Sequence, residues 1–413
     1  MRSCRSPFPL HLPLLLGLFA AQPAATAAPL TLDQALALAL ERSPALIPLE
    51  AEVARARAQA QGASLLFQSN PELSAAAGPR VREEGSSLDL GLGVSQRLEI
   101  FGQRGARREA ASALVEASEA RLQARRVELA AEVREAFVRA LAADQESRLA
   151  EEAQTLATQA LTAAEERLSA GAASRLEVNT ARVAAGRAAR ERTRALQRQA
   201  SALNELRLLL GMEAAEEVQL EGTLQPGKTP EPSLQALLDQ ALRQRADLRA
   251  ARAEVTAAQA ERDLAVREAL PSPRVGATYS REEDAQIIQG TLAVDLPVFN
   301  RNQAARGVGA ARVAEAERNR EALERAARAE VRLALTRYQA AEKAISIFGE
   351  DALKALQENL ELATEGYRAG KMDFLELLVI RRETLDARRD YIEALQELGS
   401  ARAQLQRVIG SIQ

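Results

Sequence analysis

Few residues of this 413-residue chain could do covalent chemistry. Cys4 and His11 are its only cysteine and its only histidine. Both lie in an N-terminal stretch with the form of a secretory signal: Arg2 and Arg5, then a short apolar core from Leu10 to Ala20, then Ala25-Thr26-Ala27 as a small-x-small cleavage site. The expected mature protein begins at Ala28 and carries neither thiol nor imidazole. That excludes disulfides, Cys/His zinc sites and Ser-His or Cys-His nucleophiles. No metal-ligand set is expected, because only Met212 and Met372 remain as soft ligands. Asp and Glu are abundant, yet no motif pairs them for catalysis, and neither enzyme activity nor a cofactor is expected. Two carboxylates do recur at matched spacing: Glu177 and Glu376, each six residues after a glycine, Gly171 and Gly370. What such acids offer is electrostatic, a preference for cations.

The elements that position these carboxylates come in two copies. Shifted by about 200 residues, the chain meets itself. TLDQALALAL (31–40) aligns with SLQALLDQAL (233–242), Pro71 with Pro273 and Phe101 with Phe299. RLSAGAASRLEV (167–178) aligns with GYRAGKMDFLEL (366–377), and Gly211 with Gly410. The predicted organisation is a signal at 1–27, a first repeat at 28–210, a Gly/Pro-rich linker at 211–233 and a second repeat at 234–413. Each repeat reads helix, β-hairpin, long helix, turn, helix. In the first, a helix is expected over about 31–68, a hairpin over 71–99, and uninterrupted helix from about 103 to 168. Ala170-Gly171 breaks that helix, and another runs to about 210. In the second, the hairpin falls at 273–299 and the helix break at Ala369-Gly370. Gly171 and Gly370 end one helix and permit the reversal into the next. A helix of some 66 residues spans roughly 100 Å. The Leu and Ala stripes along it read as coiled-coil core.

The strands are the exception in a helical sequence. In SSLDLGLGVSQRLEIFGQRGARREAA (86–111), Leu88, Leu90, Leu92 and Val94 alternate with Asp89, Gly91, Gly93 and Ser95. One face is apolar and the other wet. Ile288, Leu292, Val294 and Leu296 keep the same parity in the second repeat. A tilted membrane strand needs about 9–11 residues, which these runs supply. Four strands leave two open edges, which a bilayer does not tolerate. Three chains would pool twelve strands into a closed barrel, with the Leu88 to Val94 face toward lipid and the glycine face toward water. The competing reading is a soluble sheet packed on helices. Lys and Arg number 54 against 57 Asp and Glu, and losing Arg2 and Arg5 leaves 52 against 57. A mildly acidic chain with interspersed arginine argues against nucleic acid.

The junctions SQRLEIFGQRGARREAA (95–111) and LPVFNRNQAA (296–305), set in the two-repeat plan, resemble those of the TolC-like outer-membrane efflux proteins. The first is similar to the cobalt–zinc–cadmium branch in particular. The resemblance implies a homotrimer with a twelve-stranded barrel continued by an α-helical periplasmic tunnel. It also implies outer-membrane lipid around the barrel, a periplasmic adaptor and an inner-membrane pump as partners, and passive conduction of substrate. In that family the hairpin turns carry acidic residues ringing the aperture. The matching positions are Glu177 and Glu376, and Tyr367 matches a gate tyrosine. The gate-arginine position holds Met372 and a second acidic position holds Val379, so the family's locking contacts are expected to be either absent or rebuilt through Arg175, Arg368 or Lys371 with Asp373. The lipidated cysteine common among relatives is missing. Alternative functions are a periplasmic coiled-coil adaptor or structural protein, and a duct for drugs or type I secretion instead of heavy-metal cations.

Overall fold

The computed structural model describes residues 29–83, 85–213, 216, 218–225, 233–282, 285–348 and 350–410. The expected signal segment, part of the expected inter-repeat linker, Glu84, Glu283, Asp284, Gly349 and the last three residues lie outside them. Among the described residues nine helices and four strands follow in the order α1 Leu32–Arg42, α2 Ile47–Ala63, β1 Glu72–Arg82, β2 Gly85–Arg97, α3 Gln103–Ser169 and α4 Arg175–Leu210 in the first repeat. The second repeat gives α5 Leu234–Gln244, α6 Ala246–Glu268, β3 Arg274–Glu282, β4 Ala285–Ala293, α7 Gln303–Phe348, α8 Glu350–Arg368 and α9 Phe374–Val408.

Several boundaries differ from the sequence expectation: α2 ends at Ala63 and not near 68, the long helix of the second repeat is α7 and α8, and three further differences have visible causes. The single opening helix over 31–68 is two helices, because Ser43 before Pro44 is extended (ψ 126°); a residue preceding proline is pushed out of the α region. The same break recurs at Arg245, also with ψ 126°, although no proline follows. There the backbone is held by a buried guanidinium that donates to Asp247 (2.7 Å) and Glu330 (2.8 Å). The second hairpin is also shorter than 273–299. β4 stops at Ala293, so Val294 and Leu296 lie beyond the strand, where Pro297 cannot donate to a ladder.

Both hairpins join one antiparallel sheet in the order β1-β2-β3-β4, with β2 pairing β3 across the repeats. The register places Leu73, Leu92, Tyr279 and Ile288 on one face, through Leu73 opposite Val94, Leu92 opposite Tyr279 and Tyr279 opposite Ile288. Leu88, Leu90, Leu92 and Val94 are all exposed on that face. The opposite face carries Ser74, Asp89, Gly91, Gly93, Gly276 and Thr278. Arg80 spans it near the tips, donating to Asp89 (2.8 Å) and Glu282 (2.5 Å) and so tying the two repeats together. β1 and β4 each keep an unpaired outer edge.

Below the sheet the helices run as an alanine-lined coiled bundle. α3 is continuous for 67 residues, about 100 Å at 1.5 Å per residue. Its small side chains let neighbours approach closely. Ala110, Ala113 and Ala117 meet Ala257 and Ala260 of α6, and Gly399 of α9 lies so near Val138 that an added Cβ would sit 2.8 Å from it. Leu129, Val133 and Phe137 form the larger core beneath α1, with Leu206 and Leu210. Among the described residues no helix is long and apolar enough to cross a membrane.

Candidate functional site: the hairpin tips

At the end of the bundle far from the sheet, α3 turns into α4 and α8 into α9. Both turns are built alike. Gly171 (φ 75°) and Gly370 (φ 70°) take left-handed backbone. Ala172 N–H then reaches back to Arg167 C=O (2.8 Å), and Lys371 N–H to Gly366 C=O (2.8 Å). This six-to-one bond, with the glycine bonded three residues back, closes a Schellman turn. Ser174 caps α4, its hydroxyl accepting from Glu177 N–H (3.2 Å). Asp373 caps α9, its carboxylate accepting from Phe374 N–H (2.6 Å).

Glu177 and Glu376 occupy the same third position of their helices, yet their side chains do different things. The Glu376 carboxylate folds back to accept from Asp373 N–H (3.1 Å), completing a capping box. The Glu177 carboxylate reaches across to the other hairpin and accepts from the Tyr367 hydroxyl at 2.6 Å. The reason lies one repeat away. Tyr367 aligns with Leu168, which has no hydroxyl to offer Glu376.

Tyr367 is 3% exposed and sits in a cluster with Ala164, Val178, Phe374 and Leu377. Its ring tilts against Phe374 at 5.6 Å between centroids. Arg167 lies 4.8 Å above the ring, close enough for a cation–π contact, and donates to the Tyr367 carbonyl (3.1 Å) and the Ala172 carbonyl (3.3 Å). Burial, then the Glu177 carboxylate, pushes the phenol up to about 12. At any physiological pH the hydroxyl therefore stays protonated and donates.

Of the expected gate residues, the fold brings Glu177 and Tyr367 into contact. Asp373 and Glu376 pair with each other as a helix cap, and the two glutamates do not touch. Asp373 makes no ion pair with Arg175, Arg368 or Lys371 among the described residues; its carboxylate is occupied at the cap. The cation that engages Tyr367 is Arg167, which the sequence reading did not single out. Its signal was a mismatch between repeats, since Arg167 aligns with Gly366. No group of three or more Asp, Glu, His or Cys among the described residues could hold a metal ion.

The outer membrane efflux protein family matches this chain at residues 35–212 and 237–411. No curated protein sequence matches it. Among solved structures, the fold is similar to that of CusC, at 24% identity over 92% of each chain with a TM-score of 0.73. It is similar to the outer-membrane channel OprN, at 22% identity over 92% of this chain and 90% of that one (TM-score 0.74). The outer membrane protein VceC of Vibrio cholerae gives 21% identity over 92% and 96% (TM-score 0.72).

Proposed function

Since the chain belongs to the outer membrane efflux protein family, we propose that three copies close one continuous duct, fed from below by an inner-membrane pump through a periplasmic adaptor. The chain is an outer-membrane efflux channel with a long periplasmic helical portion, a passive conductor and not an enzyme. The observation that carries the trimer is the sheet. It has one exposed apolar face, one polar glycine-rich face and two unpaired edges. In lipid each unpaired backbone group costs several kcal/mol. Three four-stranded sheets joined edge to edge remove that cost and turn the glycine face toward a wet lumen. Measuring mass in detergent after extraction from outer-membrane fractions tests this. A trimer is expected, and a monomer or dimer overturns it.

In this reading the hairpin tips form the periplasmic gate. Gly171 and Gly370 make the turns, the Glu177–Tyr367 bond holds two hairpins together, and Glu376 with Asp373 stiffens the start of α9. Six carboxylates from Glu177 and Glu376 gathered at one narrow opening favour cations. Heavy-metal cations are the proposed substrate, supported by the branch resemblance of residues 95–111 and by the acidic tips. Deleting the gene should sensitise cells to zinc, cobalt or cadmium. Sensitisation to organic drugs alone would assign the duct to them.

A further inference from the structure

Between α4 and α9, floored by Ala153, Ala157 and Ala160 of α3, runs a cleft of about 1180 Å³. Its floor holds a charge without a counter-charge. Arg381 is 7% exposed. It donates once, to the Leu156 carbonyl (2.9 Å), and its Nε is buried with no acceptor. Burial without a carboxylate lowers its proton affinity. A buried guanidinium in this state is strongly destabilising until something anionic reaches it. The rim adds to the excess. Arg187 and Arg190 of α4 have no ion pair among the described residues. The acids present are already engaged, Glu191 with Arg198 (3.1 Å) and Arg389 (3.6 Å), and Asp386 with Arg382 (3.4 Å).

The complementary surface is on the same chain. α8 makes its most extensive contact with α9, and Ala363 and Tyr367 near its end also meet α3 and α4. Its outer side carries Glu358, Glu361 and Glu365, all exposed, around Leu362 at 59% exposure. Glu358 and Glu365 have no ion pair among the described residues; Glu361 accepts only from Gln357 (3.2 Å). This is an apolar residue flanked by free carboxylates on one helical stripe, the shape that seats in a groove of small residues with a basic floor. Height matches as well. Leu362 and Leu378 lie equally far along the chain from Gly370, so the acidic stripe of α8 runs level with the part of α9 that lines the cleft. Rotation about a threefold axis along the tunnel preserves that height.

We infer that the α4–α9 cleft of one protomer receives the acidic face of α8 from a second copy of this chain, with Leu362 in the cleft and a partner carboxylate on Arg381. The inference rests on the trimeric reading above. Seated there, each protomer satisfies the buried charge of its neighbour, and opening the tips of the duct has to separate these surfaces.

Engineered disulfides test this directly, because Cys4 is the only native cysteine. In a Cys4→Ser background, Val183→Cys on the cleft wall is combined with Leu362→Cys. Oxidation of the detergent-extracted protein should convert most of the monomer band on non-reducing gels to linked dimer and trimer. Each single variant should stay monomeric on those gels. A protein that is trimeric by mass yet does not cross-link, with Val183→Cys still labelled freely by a maleimide, overturns the seat and leaves the trimer standing. A monomeric mass overturns both. As an independent arm, Arg381→Glu should lower the temperature at which trimers dissociate, and adding Glu358→Arg should restore most of the loss. No restoration counts against the pairing.

Discussion

A single hydroxyl separates the two halves of this molecule at their tips. Tyr367 bonds Glu177 across the hairpins, whereas Leu168 leaves Glu376 to cap its own helix. Tyr367→Phe keeps the ring, its Phe374 contact and the Arg167 stacking, and deletes only the bond. A side-chain hydrogen bond to a charged group contributes about 1.5–3 kcal/mol. Loss of that much should raise single-channel conductance or open probability in planar bilayers without changing trimer yield. An unchanged recording would remove the bond from the gate. The phenol also sets a pH window. Its affinity for the proton is raised in the folded state, from 10.0 to about 12. The stability it gives is complete below pH 10, falls as pH rises through that interval, and is gone above about 12. Wild-type conductance should therefore climb between those values, and the Tyr367→Phe channel should lack that step. Changing Glu177 and Glu376 together to Gln removes six charges from a trimer. The cation-to-anion permeability ratio should drop, and replacing Glu165 and Glu166 instead should leave it alone.

At the level of elements, the sheet makes the sharpest prediction. Leu90→Arg puts a charge on the apolar face, at about 2–4 kcal/mol near the bilayer midplane. Gly91→Arg puts it on the polar face, where an added Cβ meets nothing closer than Ala76 at 3.8 Å. Assembly into membranes should suffer in the first and survive in the second; equal yields would reverse the facing. Among helices, Gly399→Val should cost about 1–3 kcal/mol by overpacking against Val138, read as a lower unfolding temperature. Much of this plan was legible in the sequence, because period-2 alternation at Leu88–Val94 and the Gly breaks at 171 and 370 are local signals. What escaped was decided by long-range contacts. The Arg245 break has no proline to announce it and depends on Glu330, eighty-five residues away. The same holds for the Tyr367–Glu177 bond, which is 190 residues long in sequence, and for Arg167 above the Tyr367 ring. Caps at Ser174 and Asp373, by contrast, are readable from residue type and position alone.

The whole molecule is a rod with a sheet at one end and two turns at the other. Images of the extracted particle should show a shaft of about 100 Å, the length of α3; a globular outline would contradict the fold. Along that shaft the two repeats are joined at several heights, three of which stand out. Arg80 links their strands, small residues such as Gly399 bring α3 against α9, and Tyr367 is gripped at the tips by both Arg167 and Glu177. That last grip has a mechanical consequence. The final turn of α3 and the first turn of α4 both hold the same side chain of α8. While it is held, the two hairpins of one protomer have no freedom to swing separately. In the proposed trimer the narrow end would then have three moving parts and not six, and its aperture would widen by whole protomers leaning apart.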